Sequence, residues 1–390
     1  MRKLFFIPIL IVSIISIQSC KKRVFDPIVI PDTPEEPLNE DIVAFNTYLS
    51  EQMNALNIPG ISVTIFRKDE ILYDKQMGKA NIQEDENLTK DHLFLMASAS
   101  KIITATALLQ LYEYGHFSLD DAINDFLPFT VANPNSATPI TFRMLLTHTS
   151  GIADGSVLDD LYYDGYDSPL PIDYFAEEYL VPGGSFYNAT ENFRNFEPGT
   201  QYEYSNAGST LMAVLVQEIS SQDFDNYCKN KIFTPMGMTQ TFWKLNKAKQ
   251  SNFPLVTPYN YVNNQFDPID QYAFTHFPSG GLRSTGRDMM KFFSALANDG
   301  EFNLTHLLND NTIDMMFSQQ IPSINNKMGF HVFLLDPINF LWGDDGSIPG
   351  ASTIVGVGPF SDMGVIILTN QGDVDLKDLL YEGYQLGLKL

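Results

Sequence analysis

"LFLMASASKIITATALLQLYEYG", residues 93–115, sets the problem that the rest of the chain must solve. After Lys101 the apolar residues Ile102, Ile103, Ala105, Ala107, Leu108, Leu109 and Leu111 fall on nearly every side of a helical wheel. A helix that is hydrophobic all round belongs in a protein interior. Its head carries Ser98, Ser100 and Lys101, and a buried ammonium is costly unless it is paired or loses its proton. The helix is therefore expected to carry a polar group of some purpose into the core, and to end at Gly115.

Composition limits what that purpose is. The chain has 390 residues, 44% apolar and 18% charged, which suits a globular fold rather than a disordered one. A formal net charge of -23 repels phosphate backbones, and nucleic acid is not an expected partner. The first twenty residues, "MRKLFFIPILIVSIISIQSC", place two positive charges before an apolar run from Leu4 to Ile17. That run is shorter than a membrane span and fits a secretory signal over 1–19. Its end, "IQSC", resembles a bacterial lipoprotein signal, in which Cys20 becomes the lipidated first residue. "KKR" and the Pro-rich acidic "FDPIVIPDTPEEPLNED" then suit an extended tether over about 20–40. The expectation is an exported, membrane-anchored lipoprotein facing the periplasm or the cell surface. Cys228 remains as a free core thiol, without an internal disulfide.

Beyond the tether, Asp41 to Leu56 reads as an amphipathic helix, and "ISVTIF" and "ILYDKQMG" flank "RKDE" as a β-hairpin. "STLMAVLVQEIS" and "STGRDMMKFFSALANDG" read as helices, the second capped by Thr285 or Ser284. Near the C-terminus "ASTIVGVG" and "MGVIILTN" read as strands, followed by a helix, "DLKDLLYEGYQLG". Strands at both ends with helices between them imply a sheet built from the two termini. The α/β part is expected over about 41–115 and 271–390, with a mainly helical insertion over about 116–270.

Ser98-Ala-Ser-Lys101 is an S-x-x-K motif. Positions i and i+3 share a helix face, so Lys101 can reach the Ser98 hydroxyl and serve as its base once burial lowers its proton affinity. The positive end of the helix also favours an oxyanion forming beside Ser98. Alone the motif is weak. Two further stretches strengthen it: Tyr204-Ser-Asn206, a Y-x-N element before an apolar helix, and "WGDDGSIPGAST" before the last strands. Together these resemble the triple pattern of β-lactamases and penicillin-binding proteins, with tyrosine heading the second element as in class C. "IPGISVTIF", "MASASKIITA", "LLTHTSGI", "FEPGTQYEYSNAG", "IFTPMGMTQTFW", "FPSGGLRST" and "GSIPGAST" stand in that family's order, from about residue 42 to the C-terminus.

The resemblance to the class C β-lactamase-related serine hydrolases implies an α+β fold, an antiparallel sheet flanked by helices with a helical domain inserted. It makes Ser98 the acylated nucleophile, Lys101 its proton partner and Tyr204 the shuttle to the leaving group. It gives Asn206 a hydrogen bond to Lys101 and to the substrate carbonyl. Gly346 and Ser347 then line the substrate, and the oxyanion hole uses the backbone N–H groups of Ser98 and Ser347. His148 takes a structural place in a nearby loop. No metal or organic cofactor is called for, and the other histidines show no metal-ligand spacing. The substrate is a small molecule or peptide with an ester or amide bond, and oligomeric state is left open. One position departs from the family. Where it has Lys or His, this chain has Asp344, followed by Asp345 and Gly346. A carboxylate there disfavours anionic substrates, and it keeps open a rival reading, a binding lipoprotein that retains the pocket without strong catalysis.

Overall fold

The computed structural model describes residues 39–390. The expected signal, Cys20 and nearly all of the tether lie outside the described residues. Seven strands form one antiparallel sheet: β1 (Gly60–Arg67), β2 (Glu70–Asn81), β3 (Glu86–Asn87), β4 (Phe333–Asp336), β5 (Leu341–Ile348), β6 (Ala351–Gly358) and β7 (Met363–Thr369). Their spatial order is β4-β5-β6-β7-β1-β2-β3, so β1 and β7, from opposite ends of the fold, pair at its centre. The α+β class and the sheet made from both termini are as the sequence implies.

Period-2 alternation explains the two faces of this sheet. Ile61, Val63 and Ile65 of β1 join Val365 and Ile367 of β7 in one cluster. There they meet Phe45 and Leu49 of α1 (Glu40–Ala55) and Leu379, Leu380 and Tyr384 of the closing helix, Lys377–Lys389. Phe66, Ile366 and Leu368 belong to the opposite cluster, with Met289, Phe292 and Phe293. Phe66 takes that side by simple alternation, and the bulge beside it lies on β2, where Leu72 is the extra residue between the partners of Ile65 and Phe66. The deeper part of the same cluster holds α2 (Ser100–Glu113) against α3 (Asn206–Ser220). Every residue of α2 from Ser100 to Leu111 is buried, as a helix apolar on all sides requires.

With α4 (Gly286–Ala297) and α5 (Lys377–Lys389), helices cover both faces of the sheet. Thr285 is the residue that caps α4, its side chain accepting from the Asp288 N–H at 3.2 Å. Residues 116–270 hold helices such as Phe142–Leu146 and Ile172–Leu180 besides α3, and also small two-stranded ribbons. One of these, Tyr162–Asp164 paired with Tyr272–Phe274, stands beside the head of α2.

Candidate active site

Ser98 sits in a single 3-10 turn, Ala97–Ala99, that runs straight into α2. Ala97 takes a left-handed backbone (φ 44°), a conformation a residue with a Cβ adopts only under constraint. The constraint is β5. A Cβ at Gly346 would lie 2.4 Å from the Ser98 nitrogen and 2.9 Å from the Ala97 Cβ, so only glycine admits this approach. The Thr353 hydroxyl on β6 adds a bond to the Met96 carbonyl at 2.9 Å. Strand β4 pairs with β5 only as far as Gly343, which leaves the outer edge of Asp344–Ile348 open where it passes the serine.

Two groups meet the Ser98 hydroxyl. Lys101 Nζ donates to Ser98 Oγ at 3.1 Å, and the Tyr204 hydroxyl donates to the same oxygen at 2.7 Å. Lys101 is completely buried, also donates to the Ser279 carbonyl at 2.6 Å, and lies 4.7 Å from the centre of the Tyr204 ring. Burial pushes its ammonium below the ordinary lysine range, with Asp344 and Asp154 pulling the other way. Burial pushes the Tyr204 phenol far upward, and Asp344 adds to this. The tyrosine is therefore a neutral donor at neutral pH, and the lysine is the group poised to lose its proton.

The structure corrects the expected partner of Asn206. Its amide nitrogen donates to Asp154 Oδ2 at 2.8 Å, while Lys101 donates to Ser98 Oγ and the Ser279 carbonyl and not to the Asn206 amide oxygen. Asp154 also accepts from the Asn206 and Ala207 backbone N–H groups, each at 3.0 Å, and from the Ser205 hydroxyl at 3.2 Å. Ser205 in turn accepts from the Gly208 N–H at 2.8 Å. Three orphan donors at the start of α3 are thus satisfied by two side chains, and Asn206 is fixed by the same carboxylate. Asp154→Ala is expected to destabilise the fold by about 2 kcal/mol, measured by denaturant titration, because a charged acceptor of several bonds is lost. A change below about 0.5 kcal/mol would remove Asp154 from this role.

His148 stands behind Tyr204, ring centres 4.7 Å apart, and its Nδ1 accepts from the Ser205 N–H at 3.2 Å. Burial, with His331 and Lys101 nearby, holds its proton affinity well below the usual range. It supports the tyrosine as a neutral ring. Asp344 is buried beside this cluster while its neighbour Asp345 turns outward to Lys377 at 3.6 Å. Among the described residues Asp344 Oδ2 has no hydrogen-bond partner. Burial raises the proton affinity of this carboxyl, and Lys101 opposes the rise. Ser347 is exposed, its hydroxyl accepting from the Asp373 N–H at 2.9 Å.

Sequence reading missed Asp154, the Ser279 carbonyl and the wall formed by residues 154–162. Together with Asn206 and His276, Asp154, Ser156, Asp159 and Tyr162 line a cavity of about 240 Å³. "GIADGS", directly after "LLTHTS", was the available signal for Asp154: an acid a few residues beyond a family stretch.

Comparison with known proteins bears on the family and the fold. The family model described as Beta-lactamase matches residues 45–384. "Protein flp" of Staphylococcus aureus (strain NCTC 8325 / PS 47) is 21% identical over 346 residues, covering 85% of this chain and 64% of that protein. The chain thus spans under two thirds of the length of that relative. An octameric penicillin-binding protein homologue from Pyrococcus abyssi superposes with a TM-score of 0.71 at 22% identity, over 90% of this chain and 77% of that one. A D-amino acid amidase from Ochrobactrum anthropi SV3, solved with L-phenylalanine, gives 0.67 at 23% identity, over 90% and 98%. With seven motif stretches in order, this fold and a model match over most of its length, the chain belongs to the Beta-lactamase family, a family of serine hydrolases.

Proposed function

We propose that this chain hydrolyses a neutral or cationic ester or amide through an acyl-enzyme on Ser98, while tethered to a bacterial envelope membrane through Cys20. The observation that carries the reading is one oxygen, Ser98 Oγ, held between Lys101 Nζ at 3.1 Å and the Tyr204 hydroxyl at 2.7 Å. Neutral Lys101 takes the Ser98 proton as Oγ bonds to the substrate carbonyl carbon. The oxyanion lies against the backbone N–H groups of Ser98 and Ser347 at the open edge of β5. On collapse the bond to the leaving group breaks, and Tyr204 gives that group its proton and is resupplied by Lys101. Water then attacks the acyl carbon, yields its proton to the same pair, and releases the acid with Ser98 restored.

Asp344 supports the choice of substrate. A free carboxylate on the substrate, as in a penicillin or a peptide C-terminus, would meet a buried acid where the family has a cation. A protein of the same fold being a D-amino acid amidase is in keeping with an amide or ester substrate. The same acid also favours protonated Lys101, which is the observation behind the rival reading of a weakly catalytic binding lipoprotein. Intact-mass analysis after exposure to a panel of reactive esters, a fluorophosphonate and a penicillin separates the two. A single adduct on Ser98 from the esters and the fluorophosphonate supports catalysis; no adduct with any reagent supports binding alone.

The tether has its own test. Cys20→Ala is expected to release the protein from the membrane fraction with its hydrolytic activity retained, since the Pro-rich stretch separates anchor from fold. Retention of the variant in the membrane fraction would exclude lipidation as the anchor.

A further inference from the structure

We propose that the end of the sheet remote from Ser98 rests on the lipid bilayer itself, through four apolar side chains on three hairpin turns. Ile338 is 88% exposed and Phe340 52% on the β4–β5 turn, and Phe360 is 84% exposed on the β6–β7 turn. Leu304 is 89% exposed on the short hairpin of Glu301–Phe302 with Thr305–His306. Every large apolar residue more than four-fifths exposed among the described residues is in this set. Scattered single exposures would need no explanation, but these cluster.

Several bonds place the turns together. Phe340 and Phe360 meet edge to face at 5.9 Å. The Lys68 N–H on the β1–β2 turn donates to the Asp362 carbonyl at 2.7 Å, and the Asn303 N–H donates to Asp69 Oδ2 at 3.1 Å. The turns are also built to hold their apolar residues outward. Asp336 accepts from the Ile338 and Asn339 N–H groups, and Ser361 is held by the Tyr384 hydroxyl at 3.0 Å.

The occupant follows from where the chain enters the fold. Arg67, at this end of β1, donates to the Gly387 carbonyl at 2.8 Å, and Lys389 pairs with Asp41 at 2.6 Å. The first turn of α1 therefore lies at the same end as the apolar tips, and the preceding residues lead from it to Cys20. Ser98 lies against Gly346, five residues along β5 from Leu341, roughly 16 Å from the turns. A membrane at the tips would leave the catalytic mouth facing away from it. Four side chains cover on the order of 600 Å², short of the ~800 Å² per partner of a stable protein interface, whereas shallow insertion needs no such area. The net charge of -23 selects an uncharged, zwitterionic surface over an anionic one.

This inference rests on the tether reading above, and its test separates the two. The full-length protein with Phe360→Cys, labelled there by an environment-sensitive dye, is placed on phosphatidylcholine–phosphatidylethanolamine vesicles containing acyl-chain spin-labelled lipid. The control carries the dye at Tyr166→Cys, an exposed site on the helical half, and Cys228 is buried. Fluorophosphonate labelling of both proteins certifies the fold, and intact mass reports acylation at Cys20. The expected result is several-fold stronger quenching at 360 than at 166, with a blue shift only when vesicles are present. Equal or absent quenching on vesicles overturns the proposal, as does a blue shift that follows protein concentration without lipid. An unmodified Cys20 removes the tether reading alone; the quenching at 360 still decides the contact.

Discussion

Ser98→Ala is expected to lower kcat/KM on an activated ester by about ten-thousand-fold or more, because among the described residues no other hydroxyl bonds both Lys101 and Tyr204. Stability should change by less than about 1 kcal/mol. The residue is only half-buried, and Lys101 keeps its bond to the Ser279 carbonyl at 2.6 Å when the serine oxygen is gone. The two readouts together are the test. A large loss of activity with an unmoved melting temperature assigns the loss to chemistry. Residual activity within tenfold of the parent would mean that a different residue, or a water activated by Lys101, carries the reaction.

The second large effect concerns Asp344. At about 4 Å and an effective dielectric near 20, two like charges cost on the order of 4 kcal/mol. Burial raises the proton affinity of Asp344, and the Lys101 charge offsets part of its field, so a fraction of that figure is expected. Asp344→Lys or Asp344→His should raise kcat/KM for a chromogenic cephalosporin, relative to a neutral ester, by about ten- to a hundredfold. The direction matters more than the size. An unchanged ratio in both variants, or efficient turnover of the cephalosporin by the parent protein, would show that Asp344 does not read the substrate.

What the sequence reveals about this site depends on how far apart the partners lie. Ser98 and Lys101 are three residues apart on one helical turn, so their contact follows from helix periodicity alone. Tyr204 was reachable through the motif it heads, which precedes a helix the apolar pattern shows plainly. Asn206 was placed against the wrong partner because Asp154 lies fifty-two residues away in a loop with no periodic signal. The Ser279 carbonyl could not be foreseen from side-chain chemistry, since any residue type supplies a carbonyl. Strand β5 was also hidden. "WGDDGS" combines glycine and aspartate, both poor strand formers, and it becomes a strand because β6 offers seven paired positions alongside it.

The pairing of β1 with β7 joins Ile61 to Thr369 and Arg67 to Met363, across about three hundred residues of chain. A ribosome making this protein releases its first strand long before the neighbour that completes the centre of the sheet. Until β7 emerges, β1 has only its hairpin with β2, and an isolated hairpin is marginal in water. The nascent chain therefore lacks a finished core for most of its synthesis, and closing so long a loop makes the last step slow. A polypeptide in that condition can be threaded through a narrow pore without first being unfolded. The same topology means that Ser98 meets Gly346 only after almost the whole chain is in place, so a partly made molecule carries no assembled nucleophile.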